Sequence, residues 1–245
     1  MPKNTSATLI EAARELADEM CRLSFSFPVA YVYNPLEYAW RPHELYLSRF
    51  GRGQKPTVFV GMNPGPWGMA QTGVPFGEVE AVRRWMGIQG PVGTPQRQHP
   101  ARLISGYACP RSEVSGKRLW GLMRERFGSS EVFFERHFVS NYCPLLFLAE
   151  NGRNITPDKL KNQDRSPLLE ACDRHLRRVI EALEPRWVIG IGRFTEGRIK
   201  AVSESCEYEG FSIAGILHPS PANPRANRNW AGEVASCLAE LGVWT

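Results

Sequence analysis

The sequence has 245 residues, 42% of them hydrophobic, with 30 Lys and Arg against 25 Asp and Glu and a net charge of +5. That length supports one sizeable core and a single domain over residues 1–245, and the mild basic excess alone separates no polyanion binder from an ordinary solvated surface. The six cysteines, Cys21, Cys109, Cys143, Cys172, Cys206 and Cys237, form no CxxC pair. A zinc or iron–sulfur site is therefore not expected, and a reducing intracellular compartment is. No apolar leader opens the chain and no run is long enough to span a membrane.

In chain order, Leu9, Ala12, Ala13, Leu16, Met20 and Leu23 recur at helical spacing and predict an amphipathic helix over 6–24. A Pro- and Tyr-rich connector from Phe27 to Pro42 comes next. The first strand is 57–62, and a loop dense in Gly and Pro, 61–77, directly succeeds it. A short helix over 78–86 gives way to a second Gly- and Pro-rich loop, 87–110. Ser112 or Ser115 caps a helix that runs to about Phe127. The second strand, 138–142, runs into Pro144, and Glu150 to Gln163 reads as a polar loop. A helix over 167–183 leads to a third strand, 187–191, and a further helix after Arg193. The fourth strand, Phe211 to Leu217, ends in His218-Pro219-Ser220-Pro221, and a last helix runs to about Leu241. Strands alternating with helices predict an α/β fold, a three-layer α/β/α arrangement around a mainly parallel four-stranded sheet.

Three polar residues close strands: Asn63, Asn141 and His218. Each alone reads most simply as a turn or cap residue. Together they would converge on one crevice, because open parallel sheets bind ligands outside the carboxyl ends of their strands. Two stretches lack acids altogether. Between Glu80 and Glu113 the charged residues include Arg83, Arg84, Arg97, Arg102 and Arg111, and between Glu209 and Glu233 lie His218, Arg225 and Arg228. Such loops suit a polyanion, although a solvated basic surface explains them equally. The glycines at 61, 65 and 68 match neither GxGxxG nor GxxxxGK[ST], and His218 has no HExxH-type partner.

The stretches Gly61-Met62-Asn63-Pro64-Gly65-Pro66 through Phe76-Gly77, Cys109 to Gly116, Asn141 to Leu146, Asn151 to Pro157 and His218-Pro219-Ser220-Pro221 resemble one known family. It is that of the single-strand-selective monofunctional uracil-DNA glycosylases, and the likeness runs from about residue 30 to the C-terminus. The resemblance implies a base-excision-repair hydrolase without metal or cofactor, a monomer acting on uracil in single- and double-stranded DNA and leaving an abasic site. It implies a DNA-associated protein, cytoplasmic in a bacterium and nuclear in a eukaryote, with no membrane partner. It assigns Phe76 to stacking on the flipped base, Asn141 to reading its edge, His218 to its O2 and Asn63 to the attacking water. Met62 and Gly65 would flank C5, with room over Gly65 and a water near both backbones, so that 5-oxidised uracils such as 5-hydroxymethyluracil enter. Pro221, Ala222, Asn223, Pro224 and Arg225 would form the wedge that fills the vacated space. Relatives often carry a large basic residue at the position of Ala222, for which Arg225 would compensate. Arg153, Asn154, Lys159 and Lys161 would meet phosphates. The alternatives are a glycosylase of shifted base range, for hypoxanthine or xanthine, a non-catalytic module that binds damaged DNA, and a nucleotide-binding α/β protein.

Overall fold

Asn4 accepts a hydrogen bond from the Ala7 backbone N–H and so starts helix α1, Thr5–Arg22. In the computed structural model, which describes residues 4–244, the chain continues through β1 (Tyr31–Tyr33), α2 (Pro35–Tyr38), α3 (Trp40–Phe50) and β2 (Thr57–Gly61). Next come α4 (Met69–Thr72), a π-helical turn (Ala81–Trp85), a 3-10 turn (Gly106–Ala108), α5 (Val114–Phe127) and α6 (Ser130–Arg136). Beyond these lie β3 (His137–Asn141), β4 (Leu146–Leu148), β5 (Asn154–Ile155), a second 3-10 turn (Pro157–Lys159) and α7 (Asn162–Leu183). The chain closes with β6 (Trp187–Ile191), α8 (Arg193–Ser203), β7 (Ser212–Ile216) and α9 (Pro224–Glu240).

The main sheet has the order β3-β2-β6-β7 and every pairing in it is parallel. Val58, Phe59 and Val60 of β2 are wholly buried, as a strand covered on both faces requires. Right-handed crossovers fix the layers. The step from β2 to β3 runs one way along the sheet and places α5 and α6 on one face. The steps β3 to β6 and β6 to β7 run the other way and place α7 and α8 on the opposite face. Helix α1 packs on α7, and α9 on α5. The α/β/α architecture is thus the one expected from the alternation of elements. No helix among the described residues is long and apolar enough to cross a membrane.

Four sequence expectations are corrected. The connector Phe27 to Pro42 holds β1, α2 and the start of α3. Strand β1 joins a second, antiparallel sheet of order β1-β4-β5, whose two- and three-residue strands are too short to announce themselves by alternation. That sheet also takes up part of the supposed loop 150–163. Neither Ser112 nor Ser115 caps α5: Glu113 holds the cap position without a side-chain capping bond, and Ser112 Oγ donates instead to Glu78 Oε1 at 2.7 Å. Helix α7 begins at Asn162 rather than at the first-turn position that Pro167 suggests. The Lys161 carbonyl already accepts from Asp164 and Arg165, and the Asp164 carboxylate is fixed by the Ser26 backbone N–H and hydroxyl at 2.9 and 2.6 Å.

Candidate active site

Strands β2 and β3 leave the sheet side by side. The Tyr142 N–H donates to the Gly61 carbonyl at 2.8 Å and the Cys143 N–H to the Met62 carbonyl at 2.9 Å, which carries the parallel ladder past both strand ends. Asn63 and Asn141 therefore emerge as neighbours. Asn63 Nδ2 donates to the Leu145 carbonyl at 3.1 Å, so the amide is oriented and its Oδ1 is the open acceptor.

Asn141 is 8% exposed. Its Nδ2 lies 3.2 Å from Met69 Sδ, a weak acceptor, and its Oδ1 is buried with no hydrogen-bond partner. A buried orphan of this kind costs about 1–3 kcal/mol unless something binds it. The strand end that carries it is firmly held: Tyr142 OH donates to Asp173 Oδ1 at 2.6 Å, and Arg198 donates to Tyr142 OH at 3.2 Å while pairing with Asp173.

Phe76 has φ +52°, a left-handed conformation that a bulky residue adopts only under restraint. Its carbonyl supplies that restraint, accepting from Trp120 Nε1 at 2.9 Å and from the Glu78 N–H at 2.7 Å. Gly116 in α5 lets the helix approach, since a Cβ there would collide with the same carbonyl. The Phe76 ring and Asn141 Oδ1 both lie against Gly61, where a side chain would displace both. One glycine thus permits a π face and an amide edge to meet in a single pocket.

His218 sits just past β7. Its Nδ1 accepts from the Ser220 N–H at 3.1 Å, and burial pushes its pKa below the ordinary value. The ring is therefore neutral near pH 7, and with Nδ1 occupied as acceptor the proton sits on Nε2 as a donor. The Phe76 and His218 rings are 6.3 Å apart. Glu113 is the titratable group of opposite character: burial first, then the charge of Glu78, pushes its pKa up to about 7, against the pull of the Gly65 backbone N–H.

Met62, Asn63, Gly65, Phe76, Asn141 and His218 line one cavity of about 330 Å3, with Asn154 at its mouth. Asn154 is thereby brought into the pocket itself. The expected phosphate contacts Arg153, Lys159 and Lys161 are exposed and lie outside it, and Lys159 is paired with Asp158 at 3.1 Å. The room expected over Gly65 is occupied by the Glu113 carboxyl, and the Met62 carbonyl is already taken by Cys143. In the wedge segment Pro221, Ala222, Pro224 and Arg225 are exposed, and Asn223 caps α9 through the Arg225 N–H. Arg225 is turned back to Glu233 at 2.6 Å, so it does not stand in for a basic residue at Ala222.

Sequence reasoning missed Glu113, Ser115, Thr156, Ser220 and Met69 in the cavity wall. Glu113 and Ser115 fall inside the family-like motif 109–116, which was the available signal. It also missed Arg118, which donates to the Pro219 carbonyl at 3.0 Å and to Asn227 Oδ1 at 2.8 Å and so braces the wedge. Of the basic residues in the first acid-free stretch, Arg84 pairs with Glu80 at 2.7 Å, while Arg102 and Arg111 lie 5.4 and 4.7 Å from the Trp67 ring.

Fold and pocket together define an α/β/α protein with a cavity at the carboxyl ends of its parallel strands, lined by an aromatic ring, an amide and a neutral imidazole. Residues 48–241 match the uracil DNA glycosylase superfamily. The chain is 48% identical over 242 residues to the single-strand selective monofunctional uracil DNA glycosylase of Bos taurus, covering 99% of this chain and 89% of that protein. The enzyme of that name from Mus musculus is 47% identical over 234 residues, covering 96% and 84%. This chain belongs to the single-strand selective monofunctional uracil-DNA glycosylase family of that superfamily. The crystal structure of wild-type Pedobacter heparinus SMUG2 superposes with a TM-score of 0.68 at 17% identity, covering 99% of this chain and all of that one, and supports the fold.

Proposed function

We propose that this chain hydrolyses the N-glycosidic bond of uracil, and of 5-oxidised uracils such as 5-hydroxymethyluracil, in single- and double-stranded DNA, leaving an abasic site. The observation that carries the reading is the buried, unpartnered Asn141 Oδ1 beside its own Nδ2. An acceptor next to a donor matches uracil N3–H and O4. Cytosine presents the reverse pattern and would leave both ends unpaired, at about 1–3 kcal/mol each. Hypoxanthine and xanthine carry the same N–H and carbonyl pair at N1 and O6, so this pairing selects against cytosine and not against those purines.

A base inside a stack cannot reach this cavity, so the nucleotide must flip, and Phe76 offers the stacking face. His218 Nε2–H donates to uracil O2, where negative charge develops as the base departs. A neutral donor already aimed at that charge stabilises the transition state without reorganisation. Asn63 Oδ1 accepts from the attacking water and orients it. An amide is too weak a base to deprotonate that water early, so bond breaking runs ahead of attack and the sugar develops oxocarbenium character. No lysine among the described residues lines the cavity. A Schiff base and strand cleavage are accordingly not expected, consistent with a monofunctional enzyme. The exposed Arg153, Lys159 and Lys161 contact phosphates, and residues 221–225 enter the duplex as one chain acting alone.

Incubation with a labelled uracil oligonucleotide in EDTA, then hot alkali, tests this. The expected result is cleavage at uracil only after alkali. Intact strands defeat the enzymatic reading in favour of a binding module, and cleavage before alkali defeats the monofunctional one.

A further inference from the structure

Round the uracil ring the order is O2, N3, O4, C5. With O2 at His218 and N3 and O4 at Asn141, the next edge lies beyond the Asn141 amide nitrogen. That nitrogen contacts Met69 Sδ at 3.2 Å, and the residue before Met69 is Gly68. A Cβ on Gly68 would collide with Glu113 Oε2, and a Cβ on Gly65 with Glu113 Oε1. The two glycines are therefore a bed for one carboxyl group, and that group lines the same cavity as Asn141. Glu113 sits at the cap position of α5 without capping it.

We propose that Glu113 reads the C5 side of the flipped base: its carboxyl exchanges a hydrogen bond with a 5-hydroxymethyl or 5-hydroxyl group and has nothing to exchange with a methyl. The assignment rests on the uracil-releasing reading above and names the residue behind its 5-oxidised range. Charge and geometry agree with it. Glu78, the neighbouring carboxylate, is itself occupied by Ser112 and by the Ala81 N–H at 2.9 Å, so it does not compete for the base. Burial and Glu78 bring Glu113 to a pKa of about 7, which makes both its donor and its acceptor form available at neutral pH. A buried carboxyl left facing a methyl loses water without replacement, which disfavours thymine.

Single-turnover release from single-stranded oligonucleotides carrying uracil or 5-hydroxymethyluracil, by wild type, Glu113→Gln and Glu113→Met, decides the matter. Glu113→Met, of similar length but without hydrogen bonding, lowers the 5-hydroxymethyluracil-to-uracil rate ratio about 10- to 100-fold, as for a lost bond to a polar partner. Glu113→Gln keeps the ratio within a few-fold, because its amide both donates and accepts. Glu113→Ala repeats the test should the Met variant fail to fold, as thermal melting reports. A merely structural role would lower both rates and leave the ratio unchanged, and that result overturns the proposal. Wild type inactive on uracil overturns the glycosylase reading itself. Wild type active on uracil but inert on 5-hydroxymethyluracil overturns the 5-oxidised range and Glu113's part in it, while uracil release stands.

Discussion

The pocket and the exposed rim around it are built by opposite means. In the pocket, three groups are held by buried or half-buried bonds with the main chain as one partner: the Phe76 carbonyl by Trp120, Asn63 by the Leu145 carbonyl, His218 by the Ser220 N–H. At the rim, the corresponding ties are exposed side-chain pairs, Arg225 to Glu233, Lys159 to Asp158 and Arg118 to Asn227. Exposed pairs contribute about 0–1 kcal/mol and yield to salt. The pocket thus holds its geometry before substrate arrives, whereas the rim can exchange its internal partners for phosphates. Under the proposed function, discrimination among bases falls to the first region and discrimination among DNA forms to the second.

The largest perturbation removes the scaffold under both. His43 and His137 are buried and His175 half-buried, and they donate Nδ1–H to the carbonyls of Gly73, Phe133 and Ala12. Burial holds each pKa at about 4 against the usual 6.5. Their contribution to stability is complete above pH 6.5 and is lost as pH falls toward 4, at about 1.4 kcal/mol per pH unit for each histidine. Chemical denaturation at stepped pH should show that slope, and substituting His175 by Gln should make it shallower. Pocket and rim fail together in this case.

Next in size is His218→Ala, expected to lower the single-turnover rate about 10²- to 10³-fold, the usual loss for one donor at a developing negative charge. Binding of abasic-site DNA, measured by anisotropy, should hardly change, because that step uses the rim. Asn141→Ala ranks third, with uracil release falling about 100-fold as two hydrogen bonds go. Asn63→Ala should cost about tenfold in turnover with KM nearly constant, as expected for a water-positioning group. Equal losses on binding and turnover in these variants would erase the distinction between the two regions. Smallest is Ala222→Arg. It should raise duplex activity a few-fold and leave single-strand activity unchanged, and a duplex rate insensitive to it would remove residue 222 from the wedge.

The main sheet was legible because its five-residue strands hold apolar stretches separated by helical ones, and because Asn63, Asn141 and His218 each lie at a strand's last residue or within two residues beyond it. The second sheet was not, since strands of two or three residues in Tyr- and Pro-rich sequence have no period to detect. Glu113 looked like part of a helix start. Nothing local announces that Gly65 and Gly68, some fifty residues earlier, are the surface it rests on. Arg225 looked free because Glu233 lies just beyond the acid-free window, two helical turns along the same helix. Residues at the end of a strand are thus easy to recognise from their neighbours in the chain. Residues that fold back onto that end from a distance are not.

The small antiparallel sheet ties the segment before α2 to the strands that carry Asn154 to the cavity. Tyr31, Val32 and Tyr33 pair with Leu148, Phe147 and Leu146, the Ala30 N–H donates to the Leu148 carbonyl, and the other side of β4 carries β5, with Asn154 at the chamber mouth. A fragment trimmed to the span that matches the superfamily, from residue 48, would retain every residue that lines the cavity. It would nevertheless expose the unpaired edge of β4 and let the mouth splay. The segment that carries β1 therefore behaves as masonry, and a minimal domain cannot be drawn around the cavity alone.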